Sequence, residues 1–452
     1  MRNYISYTFI LTLVVVLALL ALHLLPSLEI NGEPLRRVDV LSDIKLQEPD
    51  EEELEEDSVP LLLPVEPEFI DTCKAGLTCI EDYADSTERG MRPFYAALDR
   101  RNELEHPVYI AVFGDSFIEA DIFKGDLLSM LQSEYGGCGV GFLPITSMTN
   151  GYRPTVRHSF GGWRSHLVTD TVYFDKSKQG VSSGYFIPRP GAYVELKGQT
   201  KYASHLDTCE VSTLYFAAVG EVDVTSSING GNGTEHHFEG KGALCMAQTE
   251  GNIGRVRWTV QKADSALFYG VAMDGYNGVA VDNFSLRGSS GLSLRGIPEK
   301  ALRQFNKQRP YDLIILQYGL NVATERGKNY DNYEKGMLAT IEHLKNAFPQ
   351  AGILLLSVGD RDYRTETGEL RTMPGVKNLI RYQQSIAAES NIAFWNMFEA
   401  MGGEGSMAEL VHAKPSMANY DYTHINFRGG KHLAVLLYET LIYGKEQYDR
   451  QK

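Results

Sequence analysis

Two hydrophobic rhythms alternate along this chain, and the places where one gives way to the other restrict the architectures open to it. The run VYIAVF at 108–113 stops at Gly114-Asp115-Ser116, and Ile122, Leu127, Leu128 and Leu131 then recur at helical intervals as far as Gly136-Gly137. That pattern is a buried strand, a turn and a helix. Helical spacing also precedes the strand, over 91–104. After residue 277 the rhythm resumes with VAV at 279–281, DLIILQ at 312–317, GILLLS at 352–357 and IAFW at 392–395, separated by helical stretches over 298–306, 333–348 and 376–388 and closed by one from 429 to about 443. Alternating strands and helices predict a parallel sheet covered on both faces. Between 163 and 276 the pattern differs: β-rich runs at 193–196, 214–219, 222–224, 256–260 and 266–269 are separated by clusters of Gly, Asn and Ser, with no helical spacing. Such regularly spaced strands predict an antiparallel sandwich. The expected body is therefore one α/β domain, residues 71–162 plus 277–452, interrupted by a β-sandwich at 163–276.

The N-terminal end belongs to neither rhythm. From Tyr4 to Leu25 the only acidic or basic side chain is His23, and 22 residues at about 1.5 Å each cross a bilayer core. No small-x-small cleavage site comes after it, so residues 1–27 are expected to be an uncleaved transmembrane anchor rather than a signal peptide. The short head before the span favours N-in, C-out insertion. Eight of the ten residues from Glu48 to Asp57 are acidic, and Pro49, Pro60, Pro64 and Pro67 punctuate the same stretch. Residues 28–70 thus read as an extended, self-repelling linker. The net charge of -15 repels phosphate backbones and argues against a nucleic-acid partner. Five cysteines are too few for a disulfide scaffold, and none is spaced as C-x-x-C. Cys73 with Cys79, and Cys209 with Cys245, are the two expected pairs if the body lies in an oxidising compartment, with Cys138 left odd; five free thiols is the alternative.

Catalytic and ligand-binding groups of an open parallel sheet gather at the carboxyl ends of its strands. Four places there carry chemistry. Ser116 sits on the turn after the first strand, where its hydroxyl is presented and its N–H lies near a helix N-terminus; a helix cap is the competing role. Gly288, in Arg287-Gly288-Ser289-Ser290-Gly291, lets a backbone N–H approach a ligand closely. Asn321, after Gly319, carries a carboxamide able to donate to a developing oxyanion, although a turn-forming Asn is the commoner case. Asp421 and His424 lie on one turn before the final helix and supply a base with the group that orients it. His106 and His412 also have an acid three residues earlier, Glu103 and Glu409, and His412 is the serious rival. The pair His236-His237 reads as an exposed loop rather than a metal site. Trp163, Tyr193, Tyr202, Trp258 and Tyr276 of the insert offer rings for sugar stacking, but aromatic residues in a sandwich are usually core.

In order along the chain, Gly114-Asp115-Ser116, Gly288, Gly319-x-Asn321 and Asp421-x-x-His424 resemble the four blocks of the SGNH, or GDSL, hydrolase superfamily, over the two α/β segments. The resemblance implies Ser116 as nucleophile, His424 as base and Asp421 as its partner. It also implies an oxyanion hole of Ser116 N–H, Gly288 N–H and the Asn321 side chain, with no cofactor and no metal. Val322 departs from members that carry an acid after the Asn, outside the catalytic blocks. The insert, with Met401-Gly402-Gly403 and Ser406-Met407 ahead of the Asp-His pair, is similar to the peptidoglycan O-acetylesterase branch, in which the sandwich resembles a carbohydrate-binding module. The activity implied by this resemblance is that of a serine esterase removing O-acetyl groups from peptidoglycan or another cell-envelope glycan polymer. With the anchor, it is expected to be a single-pass protein of a bacterial-type inner membrane, its catalytic domain on the periplasmic side. A glycan O-acetyltransferase using the same triad, or a catalytically silent glycan-binding or scaffolding protein, are the alternatives.

Overall fold

The computed structural model describes residues 8–15, 29–30, 33–34, 63–69, 73–84, 90–170, 172–199, 201 and 203–452. The chain divides into two units, Met1–Leu62 and Leu63–Lys452. In the first, residues 8–15 are helical with exposed side chains, and β1 (Glu29–Ile30) pairs antiparallel with β2 (Glu33–Pro34). The expected anchor at 1–27 and linker at 28–70 lie largely outside the described residues. Among the described residues no helix is long and apolar enough to cross a membrane.

The second unit opens with β3 (Ile80–Asp82), α1 (Arg92–Asp99), β4 (Val108–Gly114) and α2 (Lys124–Tyr135). Nine strands come next: β5 (Gly141–Pro144), β6 (Val156–Leu167), β7 (Gly184–Gly198), β8 (Cys209–Ala218), β9 (Glu221–Ile228), β10 (Gly233–Glu239), β11 (Leu244–Ile253), β12 (Arg255–Ala263) and β13 (Ala266–Asp274). The alternation then returns with β14 (Val279–Asn283), α3 (Glu299–Gln308), β15 (Tyr311–Gln317), α4 (Asp331–Ala347) and β16 (Gly352–Leu356). A small hairpin of β17 (Asp362–Arg364) and β18 (Leu370–Thr372), then α5 (Pro374–Glu389), β19 (Ala393–Trp395), α6 (Met397–Met401), α7 (Ser406–His412) and α8 (Phe427–Arg450), complete the chain.

The α/β sheet has the order β14-β4-β15-β16-β19-β3, parallel except for β3, which runs against β19 at the edge. Every residue of β4, β14 and β16 is buried, which is why β4 and β16 read as continuous apolar runs rather than alternating ones, while β14 buries Asp282 and Asn283 at its end. Parallel pairing brings the strand ends together: Gln317 lies opposite Gly114, and the chain after β14 stays alongside β4, with Leu286 N–H donating to Gly114 O at 2.9 Å.

The nine strands β5–β13 form a second, antiparallel sheet of path β10-β9-β12-β7-β13-β8-β11, with β5 paired to β13 and β6 to β7. It folds over on itself as a sandwich. The second half of β7 pairs with β12 and its first half with β13, and Trp258 of β12 reaches across the interior to Ser212 of β8, Nε1 donating at 3.1 Å. Trp258 is therefore core, whereas Tyr276 stays exposed; Tyr202 lies outside the described residues. Membership of this sheet begins at Gly141, ahead of residue 163, because β5 pairs with β13 through Phe142↔Ala272 and Leu143↔Val271.

Where the two sheets meet, a fully buried guanidinium ties them. Arg309, just after α3, donates to Asp282 of β14 (Nε 2.5 Å, Nη2 2.7 Å) and to Asp274 of β13 (Nη1 2.6 Å, Nη2 3.0 Å), and lies 4.1 Å from the Tyr109 ring centroid. Tyr311 O–H and Phe142 N–H also donate to Asp282. A buried charge is tolerated only when paired and hydrogen-bonded in this way. Cys73 and Cys79 are disulfide-bonded, while Cys138, Cys209 and Cys245 are free. The expected Cys209–Cys245 pair does not form because the antiparallel register sets Cys245 opposite Phe216 and Cys209 opposite Ile253, at opposite ends of β8.

Candidate active site

The turn after β4 is built by Asp115. Its carboxylate is fully buried, and Oδ1 accepts the Phe117 N–H at 2.9 Å, an Asx turn that swings Ser116 out of the sheet. Ser116 Oγ lies 3.0 Å from His424 Nε2, and His424 Nδ1 lies 2.8 Å from Asp421 Oδ2. The Asp421–His424 segment is itself a tight turn: Asp421 Oδ1 accepts the N–H groups of Thr423 and His424, each at 3.0 Å. Behind it Ala418 bridges Ile425, and Asn426 caps α8 by accepting from Arg428 and Gly429. Burial raises the Asp421 pKa, but the bonds from the His424 N–H, the His424 ring and the Thr423 N–H outweigh it and hold the carboxyl below its usual range.

Gly288 and Asn321 complete the cluster. Gly288 has φ +77°, a left-handed turn that glycine enters without strain. Neither its N–H nor that of Ser116 has a hydrogen-bond partner among the described residues. Gly319 has φ +142°, and a Cβ there would lie 2.5 Å from Val358 Cβ; only glycine lets the chain turn Asn321 back toward β4. The Asn321 amide donates to Ser289 O at 3.0 Å and to Asp115 Oδ2 at 3.3 Å. Asp115 thus holds both the serine turn and the Asn321 loop. Burial pushes its pKa up to about 6, against the opposing pull of Phe117 N–H, His424 and Asn321.

The five residues expected to form the site, Ser116, Gly288, Asn321, Asp421 and His424, are therefore brought to one place. The rival histidines are elsewhere: His412 contacts Tyr422 Oη at 3.2 Å, His106 stacks on Tyr109, and on β10 His237 pairs with Asp223 while His236 bonds Ser226. Among the described residues no cluster of three or more His, Cys, Asp or Glu is arranged to hold a metal ion. Sequence reasoning missed a set of side chains on the rim. Arg287, next to Gly288, binds Glu119, three residues past Ser116, through Nε (3.1 Å) and Nη2. Tyr152, from the loop between β5 and β6, joins both, its O–H donating to Glu119 Oε1 at 3.1 Å and accepting from Arg287 Nη2 at 3.0 Å. Proximity of Glu119 to Ser116 and of Arg287 to Gly288 was the only available signal.

A five-stranded parallel core with one antiparallel edge strand, carrying Ser, Gly, Asn and an Asp-His pair at its strand ends, is the SGNH/GDSL hydrolase fold, here with an antiparallel sandwich inserted. A solved peptidoglycan O-acetylesterase shares this fold, with a TM-score of 0.67 over 81% of this chain and 99% of that one, at 19% identity. A family two carbohydrate esterase from Cellvibrio japonicus covers 68% of this chain and 98% of its own at 10% identity, and an acetyl xylan esterase 36% and 80% at 15%, both with TM-scores of 0.27. No protein-family model matches the sequence, and no curated protein does either.

Proposed function

We propose that this chain is a serine esterase that removes O-linked acetyl groups from peptidoglycan or another cell-envelope glycan. The observation that carries the reading is the unbroken relay from Asp421 Oδ2 through the His424 ring to Ser116 Oγ, at 2.8 and 3.0 Å. Asp421 holds the proton on Nδ1, leaving Nε2 as the base. Ser116 Oγ attacks the acetyl carbonyl while Nε2 takes its proton. The same nitrogen then returns that proton to the sugar oxygen as the C–O bond breaks, and the acetyl group stays on Ser116. Water, deprotonated by Nε2, releases acetate and restores the serine. The two unpartnered N–H groups of Ser116 and Gly288 are suited to the oxyanion, and Asn321 joins them by giving up its longer bond, the one to Asp115. The apolar stretch at 4–25 supports tethering of the enzyme to a bacterial-type inner membrane, with the body on the periplasmic side.

The test is acetate release from O-acetylated peptidoglycan and from acetylated xylan, with and without an added sugar acceptor, alongside labelling by a serine-directed phosphonate. Free acetate and labelling at Ser116 are expected, with both lost in Ser116→Ala and His424→Ala but retained in His412→Ala. Acetyl groups appearing on the acceptor sugar would identify a transferase, and an unlabelled Ser116 would leave a glycan-binding protein without catalysis.

A further inference from the structure

Beside Gly288 the molecule has a concavity that the acetyl-transfer chemistry does not use. It has a volume of about 290 Å³ and lies between the 146–153 loop and the strand-end segment 283–287, with Tyr152, Met148, Leu167, Ser285, Arg287 and Glu119 in its wall. That is close to the lower limit of roughly 300 Å³ for small-ligand pockets, room for one sugar ring rather than a chain. Glu119 and Arg287 border the Ser116 turn and Gly288 on one side and this cavity on the other. Resting on the esterase reading, we propose that the cavity is a subsite for a sugar ring of the polymer, neighbouring the acetylated one and stacked on Tyr152.

Tyr152 is 45% exposed, yet its ring is not free to swing, because its hydroxyl is bound to both Glu119 and Arg287. An exposed ring already held in one orientation gives apolar contact area to a sugar face at little cost in side-chain entropy. Arg287, bound to Glu119 through two nitrogens, Glu119 itself and Ser285 offer donors and acceptors to the hydroxyls of a sugar stacked there.

The experiment compares kcat/KM for acetate release from soluble O-acetylated peptidoglycan fragments with kcat/KM for p-nitrophenyl acetate, in the wild type, Tyr152→Ala and Tyr152→Phe. Losing the ring lowers the ratio of the two by about tenfold, as for an interface aromatic costing more than about 1 kcal/mol on truncation, and losing only the hydroxyl, which untethers the ring, lowers it by about threefold or less. In parallel, calorimetry measures binding of the same fragments to Ser116→Ala with and without Tyr152→Ala, where the added substitution weakens affinity by a similar factor. An unchanged ratio and affinity in Tyr152→Ala would overturn the subsite. So would equal losses on both substrates in the Ala and Phe variants, since these would show that the hydroxyl merely positions the Ser116 and Gly288 loops. A wild type that releases no acetate from the fragments counts against the esterase reading, and the calorimetry still decides the subsite.

Discussion

Replacing Asp421 with asparagine tests the relay at its least obvious member. In Asp421→Asn the side-chain oxygen still accepts the Thr423 and His424 N–H groups now held by Oδ1 at 3.0 Å, so the turn survives. The new Nδ2 then occupies the Oδ2 position, 2.8 Å from His424 Nδ1. Two N–H groups cannot face each other at that distance, and the imidazole proton moves to Nε2, the atom 3.0 Å from Ser116 Oγ. The serine then faces a donor where it needs an acceptor. The lost charge-assisted bond accounts for about 1.5–3 kcal/mol, and with the wrong tautomer the expected fall in kcat is about 10³- to 10⁴-fold. KM for a small ester should change little, because Asp421 lies behind the histidine. The assay is p-nitrophenyl acetate hydrolysis together with the rate of phosphonate labelling at Ser116, which should slow in parallel, and near-UV circular dichroism to show an intact fold. If Asp421→Asn keeps more than a tenth of wild-type kcat and labels at the wild-type rate, the carboxylate does not set the tautomer and the relay is misread.

Three other expectations concern distinct parts of the molecule. Asn321→Ala should lower kcat on a small ester by about 10²- to 10³-fold, with an intact fold by near-UV circular dichroism and a stability loss of about 1–3 kcal/mol from the bonds to Ser289 and Asp115; a loss of kcat under threefold would remove Asn321 from the oxyanion hole. Arg309→Met strands Asp274 and Asp282 in the interior and should cost about 3–5 kcal/mol in urea unfolding, whereas a cost below about 1 kcal/mol would mean that the junction relaxes without it. Asp115, with its pKa raised from 3.8 to about 6, keeps in the folded state a proton that the unfolded chain has released. Stability should therefore fall as pH rises between about 4 and 6, by up to about 3 kcal/mol from this group; Asp115→Asn should flatten that slope, and urea midpoints across the window that remain parallel in the two proteins would contradict it.

The strands of the parallel sheet most legible in the sequence are those buried on both faces. β4, β15 and β16 announce themselves as unbroken apolar runs, because helices cover the sheet on each side. β3, with the sequence Ile-Glu-Asp, and the β17–β18 hairpin are three-residue edges whose pairing, not composition, defines them. The short run Gly-Phe-Leu-Pro at 141–144 reads as a continuation of the first αβ unit, and only its pairing with β13, well over a hundred residues on, assigns it to the other sheet. The site divides in the same way. Ser116, Gly288, Asn321, Asp421 and His424 each stand at a strand end or loop that local pattern can locate. Glu119 and Arg287 are 168 positions apart, and neither hints at the other. Cys73 and Cys79 close a loop short enough to suggest their bond, while the separation of Cys209 from Cys245 is decided by a strand register that no spacing reveals.

The way β13 serves both sheets bears on how such a protein is cut, shuffled or inherited. A strand that pairs with β5 and also carries Asp274 to Arg309 is shared masonry, not a bolted-on attachment. Excising residues 163–276 would strip β5 of its neighbour and leave Arg309 with only Asp282 to answer its charge. Recombination or engineering that trades one sandwich for another must therefore carry its first breakpoint outward, to about residue 140, and the incoming sandwich must bring a carboxylate to the place of Asp274. Variation should accumulate on the exposed faces of the far strands β9, β10 and β12 while the seam itself changes only in concert.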